Sequence, residues 1–360
     1  MPALPIPSDR RRQGVGPGFL LADTGRLDRP HLCIVVDTEE DFDWSGPFSR
    51  SNVRVSCMDW LPRCHAVFRR HGLRPTYLLD HPVACHPRAG EVFGPWLAAG
   101  ECLVGAQLHP WVNPPFEEVV CPRNSYPCNL DLDLQERKLA VLTERIRTVL
   151  GVEPRVYKAG RYGLHPEIEP VLRRLGYVVD TSVLPFHDAR GLGGGPDFFG
   201  YPDRPFWTQP DAAFLYLPVT QSLIGPLRRL GHAGISRGIF GALSSRLHFP
   251  GMLARLGLLE RIMLTPEGSS IDDMRRLCRA MLRDGHRFFA LSLHSSSLVP
   301  GGSPYVRSER DLELFIGRIE EFLDFFLGQA GGVTTDPIRF KALVGGASAP
   351  GRTLHGARAA

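Results

Sequence analysis

The sequence lacks several features that would have assigned it a class at once. None of its eight cysteines (Cys33, Cys57, Cys64, Cys85, Cys102, Cys121, Cys128 and Cys278) forms a C-x-x-C pair. An even count in a 360-residue chain is no disulfide framework, so these read as reduced, mostly buried thiols, with Cys121 and Cys128 the pair nearest the polar motifs described below. No run of about 18 apolar residues occurs, which excludes a transmembrane helix. The first residues carry Arg10-Arg11-Arg12 but no apolar stretch of the secretory type, so the expected location is the cytoplasm, with peripheral contact to an inner membrane left open. No G-x-G-x-x-G follows any expected strand, which argues against a nucleotide cofactor. Charge of neither sign dominates: the net charge is +4. Without a recognisable reading module, that excess gives no reason to expect a nucleic-acid partner. There is no internal repeat.

What is present is a globular composition, 43% hydrophobic and 22% charged, with 38 glycines and 32 prolines for turns and stiff loops. Residues 1–30 read as a flexible lead-in, 31–330 as the folded unit, and 331–360 as a tail, Gly/Ala/Ser-rich from Leu343 onward. Within the folded unit, short apolar runs alternate with helical patterns. Strands are expected at His31–Asp37, Pro75–Asp80, Cys102–Leu108, Arg155–Ala159, Tyr177–Val183, Ala213–Val219 and Phe288–His294. Helices are expected at Asp59–His71, Leu134–Leu150, Pro166–Leu175, Ser270–Arg283 and Arg310–Phe326. In the second, Leu139, Leu142, Ile146 and Val149 repeat at spacings of three and four. The fourth opens on Ser270 with acids behind it, an N-cap signature.

Such alternation fits an open doubly wound sheet or a barrel. The polar residues favour a distorted (β/α)7 TIM-like barrel, since Asp37, Asp80, His109, Asp180 and His294 end or follow different strands and Arg161 follows another. Barrels gather reactive groups from many strand ends onto one mouth.

Five segments carry the chemistry. The first runs from Asp37 through Thr38, Glu39, Glu40, Asp41 and Phe42 to Asp43, with five carboxylates in seven residues directly after a buried strand. Like charges so close need a cation, so the run suggests metal ligands with a general base. The second is Gln107-Leu108-His109-Pro110-Trp111. Gln107 and His109 share one strand face, and a neutral imidazole suits a hydrolytic metal. The third, Lys158-Ala159-Gly160-Arg161-Tyr162, offers two cations to orient a carboxylate or stabilise an oxyanion. The fourth is the acid Asp180, and the fifth is His294, a candidate general acid tuned by a nearby carboxylate.

The order of these segments resembles the NodB-homology polysaccharide deacetylases, carbohydrate esterase family four, over roughly His31 to Gly328. The resemblance implies a (β/α)7 barrel and metal-dependent removal of N- or O-acetyl groups from sugars. It places Asp37 as general base, with Thr38 in the slot of the family's metal-binding acid and Glu39 one residue on. Gln107 stands where the first histidine ligand is expected, and His109 supplies an imidazole two residues later. Lys158 stands where the family has an arginine, with Arg161 nearby, and Asp180 and His294 match the acid and histidine of the last motifs. Asp180 would then orient His294, and backbone N–H groups near Tyr162 would face the oxyanion. If a divalent metal is bound, zinc foremost, Glu39 and His109 are its leading ligands, followed by Glu40 and Gln107. The departures from the pattern mark a divergent branch, with a mixed oxygen and nitrogen ligand set or a metal-free site.

One segment stands apart. Residues 221–259 contain Arg228, Arg229, Arg237, Arg246 and Arg255 and no acid, and a basic amphipathic insertion is expected over 221–262. It reads as a helical subdomain over the barrel mouth, or as a contact for a membrane surface or anionic lipid-linked glycan. The leading expectation is a deacetylase acting on a glycan or on a lipid- or nucleotide-linked sugar. A metal-independent C–N hydrolase on a small amide, and an inactive barrel that binds glycan or membrane, are the competing readings.

Overall fold

The structure is a computed structural model that describes residues 18–42, 46–228, 236–240 and 249–345. Its strands are β1 (Leu20–Leu21), β2 (His31–Thr38), β3 (Thr76–Leu79), β4 (Leu103–Leu108), β5 (Val156–Ala159), β6 (Val179–Asp180), β7 (Phe206–Trp207), β8 (Leu215–Tyr216), β9 (Gln221–Ile224), β10 (Glu260–Met263), β11 (Phe288–His294) and β12 (Val333–Thr334). Seven of them run parallel in the order β11, β2, β3, β4, β5, β6, β8. Between β8 and β11 the ladder is interrupted. There Ala290 N donates to Thr220 Oγ1 (2.8 Å) and Ser292 N donates to Leu264 O (3.2 Å), so the segments after β8 and β10 close the wall. The result is the distorted seven-stranded barrel that the alternation of strands and helices implied.

The two faces of this wall bury different side chains, as a period of two requires. Cys33, Val35, Leu78, Val156, Val179, Leu215, Phe288 and Ala290 form one cluster, the barrel interior. Leu32, Ile34, Val36, Tyr77 and Tyr157 belong to a second, larger cluster with the surrounding helices. The helix Leu132–Leu150 buries Leu139, Leu142 and Ile146 and ends at Gly151, whose left-handed φ of 67° suits a residue without Cβ. The helix Ile271–Arg283 starts in a capping box between Ser270 and Asp273.

Two boundaries differ from those read in the sequence. The expected lead-in is part of the fold from residue 20, because β1 pairs antiparallel with β7 and Ala22 joins the interior cluster. The expected tail is structured to Gly345: β12 pairs with β2, and the helix Pro337–Gly345 buries Phe340 completely. The Phe340 ring lies 4.5 Å from Phe288 and 5.8 Å from His31, so it plugs the barrel where β11 and β2 begin. In both cases a few apolar anchors suffice, too sparse to register as a periodicity. The expected strands over 177–183 and 213–219 shrink to two residues each. Beyond β8, Leu217 N and Val219 N still bond to Asp180 O and Val183 O, but Pro218 between them has no N–H to continue a ladder.

The basic insertion is not purely helical. It is entered and left through an antiparallel ribbon, β9 against β10, which carries the helices Ser236–Phe240 and Phe249–Arg255. Arg228 is paired with Asp284 at 3.1 Å and Arg255 is exposed. Arg229, Arg246 and the side chain of Arg237, like Asp43 and Arg10–Arg12, lie outside what the structure describes. Among the described residues no helix is long and apolar enough to cross a membrane.

Candidate active site

The interior face changes from apolar to polar at the C-terminal ends of the strands. Asp37 follows Cys33 and Val35 on β2, Lys158 follows Val156 on β5, and His294 follows Ala290 on β11, so all three face inward. Gln107 is the register partner of Lys158, and His294 that of Asp37. Asp80 and His109 lie just beyond β3 and β4 on the same alternation. These groups meet at the open mouth, opposite the end plugged by Phe340.

Asp37 is the centre of one chain of contacts. Lys158 Nζ donates to its Oδ2 at 2.5 Å, and His294 Nε2 lies 3.5 Å from the same oxygen. The other ring nitrogen of His294, Nδ1, meets Glu267 Oε2 at 2.7 Å, while His294 N donates to Glu267 Oε1 at 2.8 Å. Burial weighs against both cations, but neighbouring carboxylates prevail. Asp37 holds the Lys158 ammonium above its ordinary range. Glu267, Glu39 and Asp37 together raise the His294 imidazolium well above the usual histidine value. His294 is therefore protonated at neutral pH, with its Nε2–H toward Asp37.

A second chain runs through His109. Its Nδ1 pairs with Glu40 Oε2 at 2.8 Å, and Trp111 Nε1 donates to Glu40 Oε1, also at 2.8 Å. Glu40 N in turn donates to Asp80 Oδ2 (2.7 Å), whose Oδ1 accepts from Val83 N (2.9 Å). Burial pushes Glu40 up to about 7 and, with Glu40 beside it, Asp80 well above the carboxylate range, so this buried pair shares a proton. Burial also lowers His109, which stays neutral. With Nδ1 committed to Glu40, the lone pair is on Nε2, where the Gln107 amide nitrogen donates to it. It faces Glu39 Oε2 at 3.6 Å and the Gln107 amide at 3.2 Å.

The donor set was tested against a divalent metal. Glu40, Asp80 and His109 offer ligand atoms within 4.8 Å of one another. The oxygens of the two acids, however, already accept N–H groups, which suits them to orient His109 from behind. Toward the mouth, Gln107 Oε1 and Asp37 Oδ1 are buried without a hydrogen-bond partner. The orphaned oxygens, Glu39 and His109 Nε2 offer a mixed oxygen and nitrogen donor set of the kind a divalent ion takes, with the Gln107 amide nitrogen bonded to Glu39 and His109 in its place.

Two expected members stand elsewhere. Asp180 is the register partner of Tyr157, not of Lys158, so it points to the opposite face of the sheet. Its carboxylate accepts from Ser182 N and Ser182 Oγ at 2.7 Å each, and Ser182 Oγ accepts from Ala159 N, which makes Asp180 a brace for the turn after β6. Burial, resisted by those Ser182 bonds, raises it to about 7. Arg161 does not reach Asp37. Its centre lies 3.9 Å from the Tyr126 ring and 4.9 Å from the Phe48 ring, and it donates from Nη1 to Ser125 Oγ. Arg161 and Tyr162 both have left-handed backbone, with φ of 55° and 58°, and the Tyr162 ring lies 4.6 Å from Lys158 Nζ.

Glu267, which orients His294, was missed. It sits in the turn Thr265-Pro266-Glu267-Gly268 rather than at a strand end, and nothing in its neighbours marks it out. Asp80 did carry the strand-end signal but had been left out of the ligand set.

No family model matches this chain, and no curated protein does. Solved structures do. A "putative polysaccharide deacetylase" from Mycobacterium smegmatis is 14% identical, with 96% of this chain and 100% of that one covered and a TM-score of 0.49. A family 4 carbohydrate esterase from Streptomyces lividans, solved with acetate, is 9% identical over 85% of this chain and 91% of its own, with a TM-score of 0.37. A family 4 pseudoenzyme from Bacillus anthracis is also 9% identical, over 87% and 66%, with a TM-score of 0.37. At these identities no residue role is transferred from these relatives.

Proposed function

We propose that this chain is a hydrolase that removes N- or O-acetyl groups from a glycan or glycan precursor. The observation that carries the reading is the pairing of a carboxylate base with an imidazolium acid at one barrel mouth, Asp37 and His294, each held by a buried partner of opposite charge. Asp37, bonded to Lys158 through Oδ2 and with Oδ1 unpartnered, takes a proton from water as it attacks the acetyl carbonyl. Lys158 lies close enough to the same point to offset charge on the oxyanion. His294, kept protonated by Glu267, gives its Nε2 proton to the departing amine or alkoxide. A divalent ion, zinc foremost, would be held by Glu39, His109 Nε2 and Gln107 Oε1 and would supply Lewis-acid polarisation of the carbonyl.

The experiment is acetate release from N-acetylglucosamine oligomers and from O-acetylated xylan by wild type and Asp37→Asn. Loss of turnover in a variant with wild-type circular dichroism is expected; full activity would end the assignment. A second reading has its own support. The Glu267–His294–Asp37–Lys158 chain is complete without an ion, as a metal-independent hydrolase acting on a small amide would require.

A further inference from the structure

Arg161 lies at the rim of the mouth in an unusual state. It is half-buried, yet among the described residues no carboxylate pairs with it. Some partly covered arginines here have such partners, Arg74 in Asp336, Arg228 in Asp284 and Arg275 in Glu321, while Arg145, Arg287 and Arg318 bond to backbone carbonyls instead. A guanidinium withdrawn from water without a counter-charge is unfavourable, and burial acts against its charge here too.

Its geometry is fixed on several sides. The guanidinium centre lies 3.9 Å from the Tyr126 ring and 4.9 Å from the Phe48 ring. Nη1 donates to Ser125 Oγ and, at 3.4 Å, to Pro122 O. Among the described residues these are its only hydrogen bonds, and the edge formed by Nε and Nη2 has no partner among them. That edge is the one that grips a carboxylate or phosphate with two parallel bonds. The backbone beneath it is in the left-handed region, a strain that recurs at ligand-binding positions.

The rim is also tied to the reacting groups. A Cβ on Gly160 would come within 2.5 Å of His109 Cδ2, so the turn carrying Arg161 is pressed directly against that imidazole. Phe48 packs on Trp111 at 4.7 Å, and Trp111 stacks on His109 at 4.4 Å. Arg161 is thus two ring contacts from His109. Arg123, on the same segment as Ser125, is exposed and makes no ion pair among the described residues, which adds a second positive charge nearby.

We infer that the Nε and Nη2 edge of Arg161 binds an anionic group, a phosphate or a carboxylate, carried by the sugar whose acetyl group enters the mouth. This rests on the deacetylase reading for what lies beyond the anion. The two ring contacts and the bond to Ser125 hold the guanidinium ready, so little ordering is needed on binding. A substrate with a phosphate on the sugar and one with an acidic sugar ring present the same chemistry to this edge.

The test is calorimetric titration at low salt with N-acetylglucosamine, N-acetylglucosamine 1-phosphate and N-acetylmuramic acid. Wild type should bind at least one charged sugar about tenfold more tightly than the neutral one, and that ratio should fall with added salt. The charged sugar that gains identifies the source of the anion. Arg161→Gln should bring the ratio close to one, and Arg161→Lys should leave it intermediate, since an ammonium lacks the two-pronged edge. A ratio near one in wild type, or a ratio unmoved by Arg161→Gln in a protein with wild-type melting, overturns the inference. Acetate release is followed on the same samples. Charge discrimination without release refutes the deacetylase reading alone, and release without discrimination refutes the anion site alone.

Discussion

Asp37 and His294 are register partners across adjacent parallel strands, and their side chains approach to 3.5 Å at the open end of the barrel. Residues 257 positions apart in sequence thus meet as carboxylate and imidazole, with Lys158 bonded to the first and Glu267 to the second.

Lys158 is the most sensitive of these supports. It is buried, and its ammonium is the counter-charge of a buried carboxylate. Lys158→Met should destabilise the fold by about 3–5 kcal/mol, because it removes the nearest counter-charge of the buried Asp37 carboxylate. Lys158→Met combined with Asp37→Leu should recover much of that loss. Chemical denaturation of the three proteins measures it.

Glu267 should set the alkaline limit of activity. His294 must be protonated to act as the acid, and Glu267 leads the groups that raise its pKa against burial. Glu267→Gln lowers that pKa, so the imidazolium is lost at lower pH. The alkaline limb of the kcat/KM profile should move toward lower pH while the acid limb stays. A pH profile with only a uniform fall in rate would leave Glu267 a purely structural residue.

Asp180 should behave differently. Its folded pKa of about 7 lies above the ordinary 3.8, so its ionisation disfavours the fold as pH rises through that interval. Asp180→Asn cannot ionise. Its melting temperature should therefore gain on wild type between roughly pH 4 and pH 7. Because Asp180 faces away from His294, the alkaline limb of activity should not move.

Metal dependence separates the two hydrolase readings. Purified protein should carry about one equivalent of divalent ion per chain by elemental analysis, and chelation should abolish acetate release and lower the melting temperature. His109→Ala should fail to retain the ion. Full activity of the metal-free protein would instead support the metal-independent amide hydrolase.

Much of this was legible along the chain. The apolar run His31–Val36 could only be a strand covered on both faces, and the polar residues at its end and at the ends of β4, β5 and β11 could only matter if those ends meet. Glu267 was not legible, because a single acid in a Pro-Glu-Gly turn carries no period and no strand end.

The sequence by itself determined which segments are strands and that each has two faces, since alternation is a local property of the backbone. Which face lines the barrel depends on the register between neighbours, and that is settled by a ladder of hydrogen bonds joining residues far apart. Lys158 and Asp180 look alike in sequence as charges on apolar strands. The pairing of Asp180 with Tyr157 turned one of them away from the site, and the loop after β10, beside β11, supplied the carboxylate that meets His294 in the form of Glu267.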